Sequence, residues 1–383
     1  MATFDGAFPA PKILPSAFGL FSVATPENPN AEDKWVRGFD QWWETTPNFV
    51  RNWDETSTTS YVVDSNPGAT RYSHHIPFFI EVEDFASTLG LNGEDRFAKV
   101  LRQLEACSQK AVEAELWNGL VALQGTGTDL VNPYLSKGSS VNILAGRTSA
   151  GVVADPVVNG AAISVKNGIA VLEYQIGQYS SAGEQGFIHI TRDTAAVLSS
   201  YNQMVVDYYD PNKGSRQHLQ TFGGTPLVLG SGYSGDGPVV NVTNKGLTTN
   251  VVTLTTANNH GLAVGDTVVV TGVGSPFDGT FVTTTGTAGK TINYAKTATD
   301  VVPVTTTGGT ARMQADTRYK WIYASGGVRV YLGKPDVVND NLAQAYGVTD
   351  NKNDMRIKAT RAAAVYFDTS IHLGVKVDLT LTN

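Results

Sequence analysis

The sequence predicts an α+β fold interrupted by an inserted all-β module. Three observations carry this. From Glu94 to Leu116 there is no Gly or Pro, and apolar side chains return near helical spacing. Residues 163–234 alternate helix and strand signals, as in a mixed α+β unit. At about Gly237 the composition turns to Thr, Val and Gly, with short strands between turn residues, and the earlier style returns after Arg312.

A chain of 383 residues is too long for one small core, so two or three compact units are expected. Charged residues make up 16%, against a usual share of about 25%, which suggests a surface covered largely by something other than water. The net charge of −7 argues against a dedicated nucleic-acid binder, which would show a basic stripe. Cys107 is the only cysteine, so a disulfide scaffold is excluded. No apolar run approaches the roughly 18 residues of a membrane span. Residues 1–20 carry Pro9, Pro11 and Pro15 and lack the basic and apolar regions of a signal peptide. A soluble protein made in a cytoplasm is expected.

Along the chain, prolines keep most of residues 1–54 out of regular structure, yet Trp35, Trp42, Trp43 and Trp53 crowd its second half. A short helix from Ala31 to Glu44, capped by Asn30, would place Trp35, Phe39 and Trp42/Trp43 on one face. These aromatics either fill the chain's own core or anchor an extended arm on a neighbouring subunit. Residues 56–84 read as a long hairpin. Strands at Ser60–Val63 and His75–Ile80 flank Asn66-Pro67-Gly68, whose Pro67 and Gly68 have the type II turn order. A lone ribbon is barely stable, so this one, with Phe78 and Phe79, is a candidate for intersubunit contact.

The long helix then presents Phe97, Leu101, Leu104, Ala111, Leu116 and Leu120, a rod of roughly 45 Å at 1.5 Å per residue. A second helix is expected from Ile163 to Tyr179, a buried strand at Phe187–Ile190, a helix capped by Thr191, and a strand at Pro226–Leu229. Strands at Val251–Leu254, Thr267–Val270 and Thr280–Val282 mark the module. Trp321–Tyr323 and Val328–Leu332 resume the α+β unit, and two closing strands, Ala362–Phe367 and Ile371–Leu381, flank Asp368-Thr369-Ser370.

Chemistry-bearing motifs are weak. Gly230-Ser231-Gly232-Tyr233-Ser234-Gly235 matches GxGxxG after a strand, but Asp236-Gly237-Pro238 and β-type sequence follow where a dinucleotide site needs a helix start. Gly286-Thr287-Ala288-Gly289-Lys290-Thr291 lacks the first glycine of a phosphate loop and reads as a hairpin turn. His74 and His75 face opposite sides of a strand and cannot share a metal, and the other histidines are scattered. Asp350, Asn351, Asn353 and Asp354 lack the glycine and closing glutamate of a calcium loop. There is no nucleophile elbow, and Cys107 reads as a small packed group inside a helix. No catalytic residue, cofactor or metal site is expected, and the chain is not read as an enzyme.

The order of arm, long hairpin, long helix and α+β unit resembles the major capsid proteins of tailed double-stranded DNA phages with the Hong Kong 97-type fold. The strings Gly186–Arg192, Gly224–Gly230, Trp321–Gly326 and Arg361–His372 resemble capsid proteins of actinobacteriophages in particular, and only residues 240–312 lie outside the likeness. The resemblance implies an N-arm at 1–54, an extended loop at 55–92 and a peripheral domain with its spine helix at 93–162. It implies an axial domain at 163–238 and 313–350, and C-terminal strands of the peripheral domain at 351–383. The insert at 239–312, with Asn259–Asp266, is similar to small β-barrels of phage fibre-like proteins and is expected on the outer surface, where it leaves room for DNA.

For function, the resemblance implies self-assembly into the pentamers and hexamers of an icosahedral virion capsid, made in the host bacterial cytoplasm. The implied partners are further copies of the chain, a portal and, as a further candidate, a decoration protein. The shell would enclose DNA without sequence-specific binding, and an acidic chain suits a container whose lining must not trap phosphates. Residues 55–92 contain no lysine, so the Lys–Asn cross-link of some family members is not expected. No long scaffolding segment is recognised at the start of the chain, so a separate scaffolding protein is expected. A tail or fibre protein, suggested by the Thr-rich module, and an encapsulin-type compartment are the alternatives. An enzyme with an unrecognised site is the third, weakened by the missing constellation.

Overall fold

The computed structural model describes residues 17–28, 35, 39–43, 49–51, 60–62, 71–87, 96–119, 132–144, 146–148, 151–153, 161–179, 186–200, 204–207, 218–341 and 354–381. The first elements are α1 (Leu20–Val23), β1 (Phe39–Trp43), β2 (Phe49–Arg51), β3 (Ser60–Val62), β4 (Arg71–His75), β5 (Phe78–Ser87) and α2 (Arg96–Asn118). Next come β6 (Asn142–Leu144), β7 (Gly146–Thr148), β8 (Gly151–Val153), β9 (Ile163–Ser164) and α3 (Val165–Tyr179). They lead into β10 (Phe187–Thr191), α4 (Arg192–Ser199), β11 (Met204–Asp207), β12 (His218–Thr221) and β13 (Pro226–Gly230). The Thr-rich stretch holds β14 (Val240–Thr248), β15 (Val251–Thr256), β16 (Thr267–Thr271), β17 (Gly279–Val282), β18 (Thr291–Ala295), β19 (Val301–Thr305) and β20 (Thr310–Met313). The chain closes with β21 (Tyr319–Ser325), β22 (Val328–Leu332), β23 (Asp336–Asn341), β24 (Asp354–Phe367) and β25 (His372–Asp378).

Fourteen-residue β24 is the axis of an antiparallel sheet, with β5 along 354–363, β23 along 355–360 and β22 along 363–367. Helix α2 lies on this sheet, and its 23 residues make a rod of about 35 Å. Its buried row is Val100, Leu104, Ser108, Val112 and Leu116, a strict four-residue step. Leu104 and Leu116 of the expected stripe lie in this row, whereas Phe97 is exposed and Leu101 and Ala111 are half-buried; the small Ser108 fits the row because its hydroxyl donates to the Leu104 carbonyl. Burying the four aliphatic side chains stabilises the contact by about 1.5–3 kcal/mol each. Arg361 of β24 pairs with Glu105 of α2, and Lys99 with Asp84 of β5.

The second sheet is mixed, in the order β11-β12-β13-β10-β21-β25-β6, with β9 also on β25. Pairing of β10 with β13, and of β25 with β6 and β9, is parallel. The period-two alternation of strands divides its faces. Ile188, Ile190, Leu227, Leu229, Ile322, Ala324, Leu373, Val375 and Val377 form an aliphatic core with Val165, Ile169 and Leu172 of α3 and Leu198 of α4. Gly168 permits the close approach, since a Cβ there would lie 2.8 Å from Val377. The opposite face carries His189, Trp321, Tyr323, His372 and Lys376, all buried. Both faces are covered, which is why these strands read as continuous apolar runs.

In the Thr-rich stretch the strand order is β17-β16-β20-β14-β15-β18, with β19 on β14. A bridge from Thr283 to Tyr294, with Thr284 N–H donating to the Asn293 carbonyl at 2.7 Å, brings the last strand back beside the first. The inward set includes Val242, Leu254, Val268, Val270, Ile292 and Tyr294. Gly289 (φ +56°) turns the chain where Ala288 and Thr291 exchange backbone bonds, so the phosphate-loop mimic is a hairpin turn.

Several expectations are corrected. The helix expected over 31–44 is replaced at 39–43 by strand β1, paired with β4. Strands 60–62 and 78–87 exist, but not as one hairpin: β3 pairs with β2, and β5 with β24. β25 leaves the closing pair for the mixed sheet, while β22 and β23, expected in the axial unit, join β24. β6, expected with the spine helix's domain, also borders β25, beside β9. Thr191 occupies the cap position before α4, yet its hydroxyl bonds the Asp193 and Thr194 side chains, and Asp193 accepts the Thr194 N–H instead.

A buried junction and candidate contact surfaces

On the polar face of the mixed sheet, the end of α2, the loop after β13 and the Thr-rich barrel meet. Trp117 of α2 packs on Tyr233 (4.8 Å between centroids) and edge-on against Tyr323 (4.9 Å, 85°). His189 holds Tyr233 Oη through Nδ1 and Ser325 Oγ through Nε2, both at 2.8 Å. Both partners are hydroxyls, able to donate or accept, so they satisfy a neutral ring with one nitrogen donating and the other accepting. Burial, with His372 second, pushes the His189 pKa down to about 3. His372 donates from Nε2 to the Leu135 carbonyl at 2.8 Å, and burial holds its pKa near 4.

Glu113 is the centre of the junction. It is fully buried on α2, and its Oε1 accepts from Leu20 N (3.0 Å) and Gln109 Nε2 (2.8 Å). Its Oε2 accepts from Ser231 N (2.6 Å) and Gly232 N (3.0 Å). These amides belong to the GxGxxG string, whose backbone nest is filled by the chain's own carboxylate rather than open to a phosphate. Gly232 is required by closeness: a Cβ there would lie 2.3 Å from the Lys110 carbonyl oxygen.

The barrel is fixed to the same face. Lys376 of β25 pairs with Asp266, both at most 4% exposed, and the same carboxylate accepts from Ala263 N (2.6 Å). Burial lowers the Lys376 pKa, while Asp266 acts to raise it. Gly261 (φ +65°) lies on Trp321, where a Cβ would meet the indole at 2.6 Å. Asp236 accepts from Ala315 N (2.9 Å) and pairs with Arg312 (3.0 Å), tying both ends of the barrel together. His260 donates to the Thr291 carbonyl and accepts from Leu262 N, and burial brings its pKa to about 4.

Of the contact residues expected from sequence, Trp35 is 3% exposed and packs edge-on against Tyr331 (5.9 Å) beside Ala362, Ala364 and Tyr366. It fills the chain's own core, and the contact reading is withdrawn for it. Phe78 is likewise buried, pointing toward α2, whereas its neighbour Phe79 is 62% exposed on the other face of β5. The backbones of Trp42 and Trp43 pair with Tyr72 and Arg71. Trp53, Pro67 and Gly68 lie outside the described residues. The segment 17–28, expected in an arm reaching a neighbour, is bound to this chain at both ends. Phe18 O accepts from Leu229 N, and Glu27 exchanges backbone bonds with Val330 and Leu332. Sequence reasoning missed Glu113, Lys376 and Asp266, because nothing in a lone charged residue announces buried partners 93 to 119 positions away. Among the described residues no cluster of His, Cys, Asp and Glu could hold a metal, and no helix is long and apolar enough to cross a membrane.

No family model matches the sequence, and no curated protein matches it. Solved structures similar to this chain include capsids and chains of phages. The capsid of an empty GTA particle is 12% identical, covering 95% of this chain and 91% of that one, with a TM-score of 0.44. A chain of Microbacterium phage Oxtober96 is 9% identical over 98% and 95%, with a TM-score of 0.43. One of Mycobacterium phage Adephagia is 9% identical over 95% and 90%, with a TM-score of 0.38.

Proposed function

We propose that this chain is the major capsid protein of a tailed double-stranded DNA phage, a non-catalytic shell subunit. It assembles as pentamers and hexamers around DNA, with a separate scaffolding protein and a portal. The observation that carries the reading is where the four capsid-like strings fall. Gly186–Arg192, Gly224–Gly230 and Trp321–Gly326 cover β10, β13 and β21, which are hydrogen-bonded neighbours in the mixed sheet. Arg361–His372 spans the crossover from β24 to β25, the element shared by both sheets. Three strings far apart in sequence thus form adjacent strands of one sheet and the fourth leads into it from the other, so the likeness lies in buried strands and not in scattered loops.

In this reading α2 is the spine of the peripheral domain, the mixed sheet is the axial domain, and 239–312 is an inserted barrel on the outer surface. Closed symmetry multiplies modest contacts into a stable shell. The test is sedimentation of the purified chain, co-expressed with its scaffolding protein, with negative-stain microscopy of the fast fraction. Closed icosahedral shells are expected, and DNA-packaged heads in infected cells separate a capsid from an encapsulin-type compartment. A discrete trimer or a fibre as the sole assembly overturns the proposal.

A further inference from the structure

We propose that the β12–β13 tip is a preformed self-association point, with Phe222 docking on a second copy of this chain. The choice of partner rests on the shell reading. Phe222 is 75% exposed, the most exposed aromatic among the side chains described. Leaving a Phe in water forgoes about 1.5–3 kcal/mol of burial, so an isolated subunit gains nothing from it there.

The tip is nonetheless rigid. Glu173 of α3 accepts from the hydroxyls of both Thr221 and Thr225, one oxygen for each. Thr221 and Thr225 exchange a backbone bond (2.9 Å), Gly224 N donates to Thr221 O (3.0 Å), and Thr225 N donates to Thr221 Oγ1 (3.2 Å). Gly224 has φ +88°, and a Cβ on Gly223 would lie 2.7 Å from the Glu173 carboxylate. An aromatic held in place before contact loses little freedom on binding, which is how anchors contribute most to an interface.

The charge pattern selects the occupant. The chain carries −7, so copies repel one another at range, and an uncharged contact point adds nothing to that repulsion. The tip Thr221-Phe222-Gly223-Gly224-Thr225 has no charge. The one carboxylate described at its base has both oxygens turned to the two threonines. A basic partner would be better served by an available carboxylate; a like-charged copy is served by one already engaged. The contact is heterologous, tip against a different patch of the neighbour, as rings of five or six require.

The experiment replaces Phe222 with p-benzoyl-phenylalanine in the full chain, irradiates the assembled particles, and pairs this with Phe222→Ser. Covalent dimers of this chain are expected, with an assembly rate lowered about tenfold or more in Phe222→Ser and a circular-dichroism melt equal to wild type. Phe222→Ser shells formed at the wild-type rate, or adducts only to another protein, overturn the proposal. If the wild-type chain forms a trimer or fibre instead of shells, the shell reading fails by itself. Dimers cross-linked at 222 within that assembly still support the contact, and their absence refutes it.

Discussion

Replacing Glu113 with Gln changes one atom and should loosen the junction on one side. The native carboxylate offers two oxygens to four donors: Leu20 N and Gln109 Nε2 on one, Ser231 N and Gly232 N on the other. Glutamine has one acceptor oxygen, so whichever way the amide turns, its NH2 faces two N–H groups. Facing the 231–232 loop the NH2 orphans two backbone donors; facing the N-terminal segment it orphans Leu20 N alone, because the Gln109 amide can turn its own oxygen toward it, so at about 1–3 kcal/mol per donor Glu113→Gln should destabilise by about 2–4 kcal/mol. The upper end of that range lies in the tail of single substitutions and is diagnostic of a broken buried network. Urea unfolding of the unassembled chain at neutral pH measures it, with hydrogen exchange as the local readout. Faster exchange at Leu20 means the amide oxygen chose the 231–232 loop; faster exchange at Ser231 and Gly232 means it chose the N-terminal segment. A loss below about 1 kcal/mol with exchange unchanged at all three amides would refute the assignment of Glu113 as the centre of the junction.

Two further outcomes are expected. Lys376→Met leaves the buried Asp266 carboxylate without its cation and should cost about 3–5 kcal/mol, while adding Asp266→Leu should restore most of that. The restoration stays incomplete by about 1 kcal/mol, because Ala263 N loses its acceptor. A double variant no more stable than the single one in urea would show that the pair does not act as a unit. Stability should also fall with acid before ordinary carboxylates titrate. His189, His260 and His372 are held near 3, 4 and 4, below the ordinary 6.5, so the unfolded chain takes up their protons first. Their contribution is complete above about pH 6.5 and drains away as pH falls toward 4 and then 3, on the order of 2 kcal/mol per histidine by pH 4.5. Asp193 and Asp378 are held below 3.8 and lose their contributions only further down. A urea midpoint unchanged between pH 7 and pH 4.5 would contradict the buried, neutral assignment.

Local pattern made the elements legible and left their partners hidden. The module was visible because β15 and β16 alternate buried and open residues in a Thr-rich background with no helical period. Helix α2 was visible from its length, and Leu104 and Leu116 were placed on its buried row, but the rest of the row was missed because Ser108 looks polar and packs through its own backbone bond. Pairing was hardest. Nothing local tells Ser60–Val62 to join Phe49–Arg51 in place of the strand beyond Pro67, since register is set by tertiary contact. The aromatic count at the N-terminus was correct as an observation, yet for Trp35 the core won over the neighbour. The weakness of GxGxxG was legible in the missing helix start, although the physical reason, a carboxylate already seated on its amides, needed the fold.

The division of the mixed sheet into an aliphatic face and a polar-aromatic face explains how a chain of several units can be stiff. Aliphatic packing against α3 and α4 is non-directional and would tolerate sliding. The opposite face is different, because His189, His372 and Lys376 are held by directional bonds to Ser325, the Leu135 carbonyl and Asp266. Buried polar groups left unmatched are expensive, so a small rotation of the barrel or of α2 would break several bonds at once. Relative orientation is thereby fixed by hydrogen-bond geometry, while stability comes mainly from apolar area. In the shell proposed above, such a division would hold Phe222, β5 and the barrel at constant angles in every copy, which closure of a symmetric ring requires.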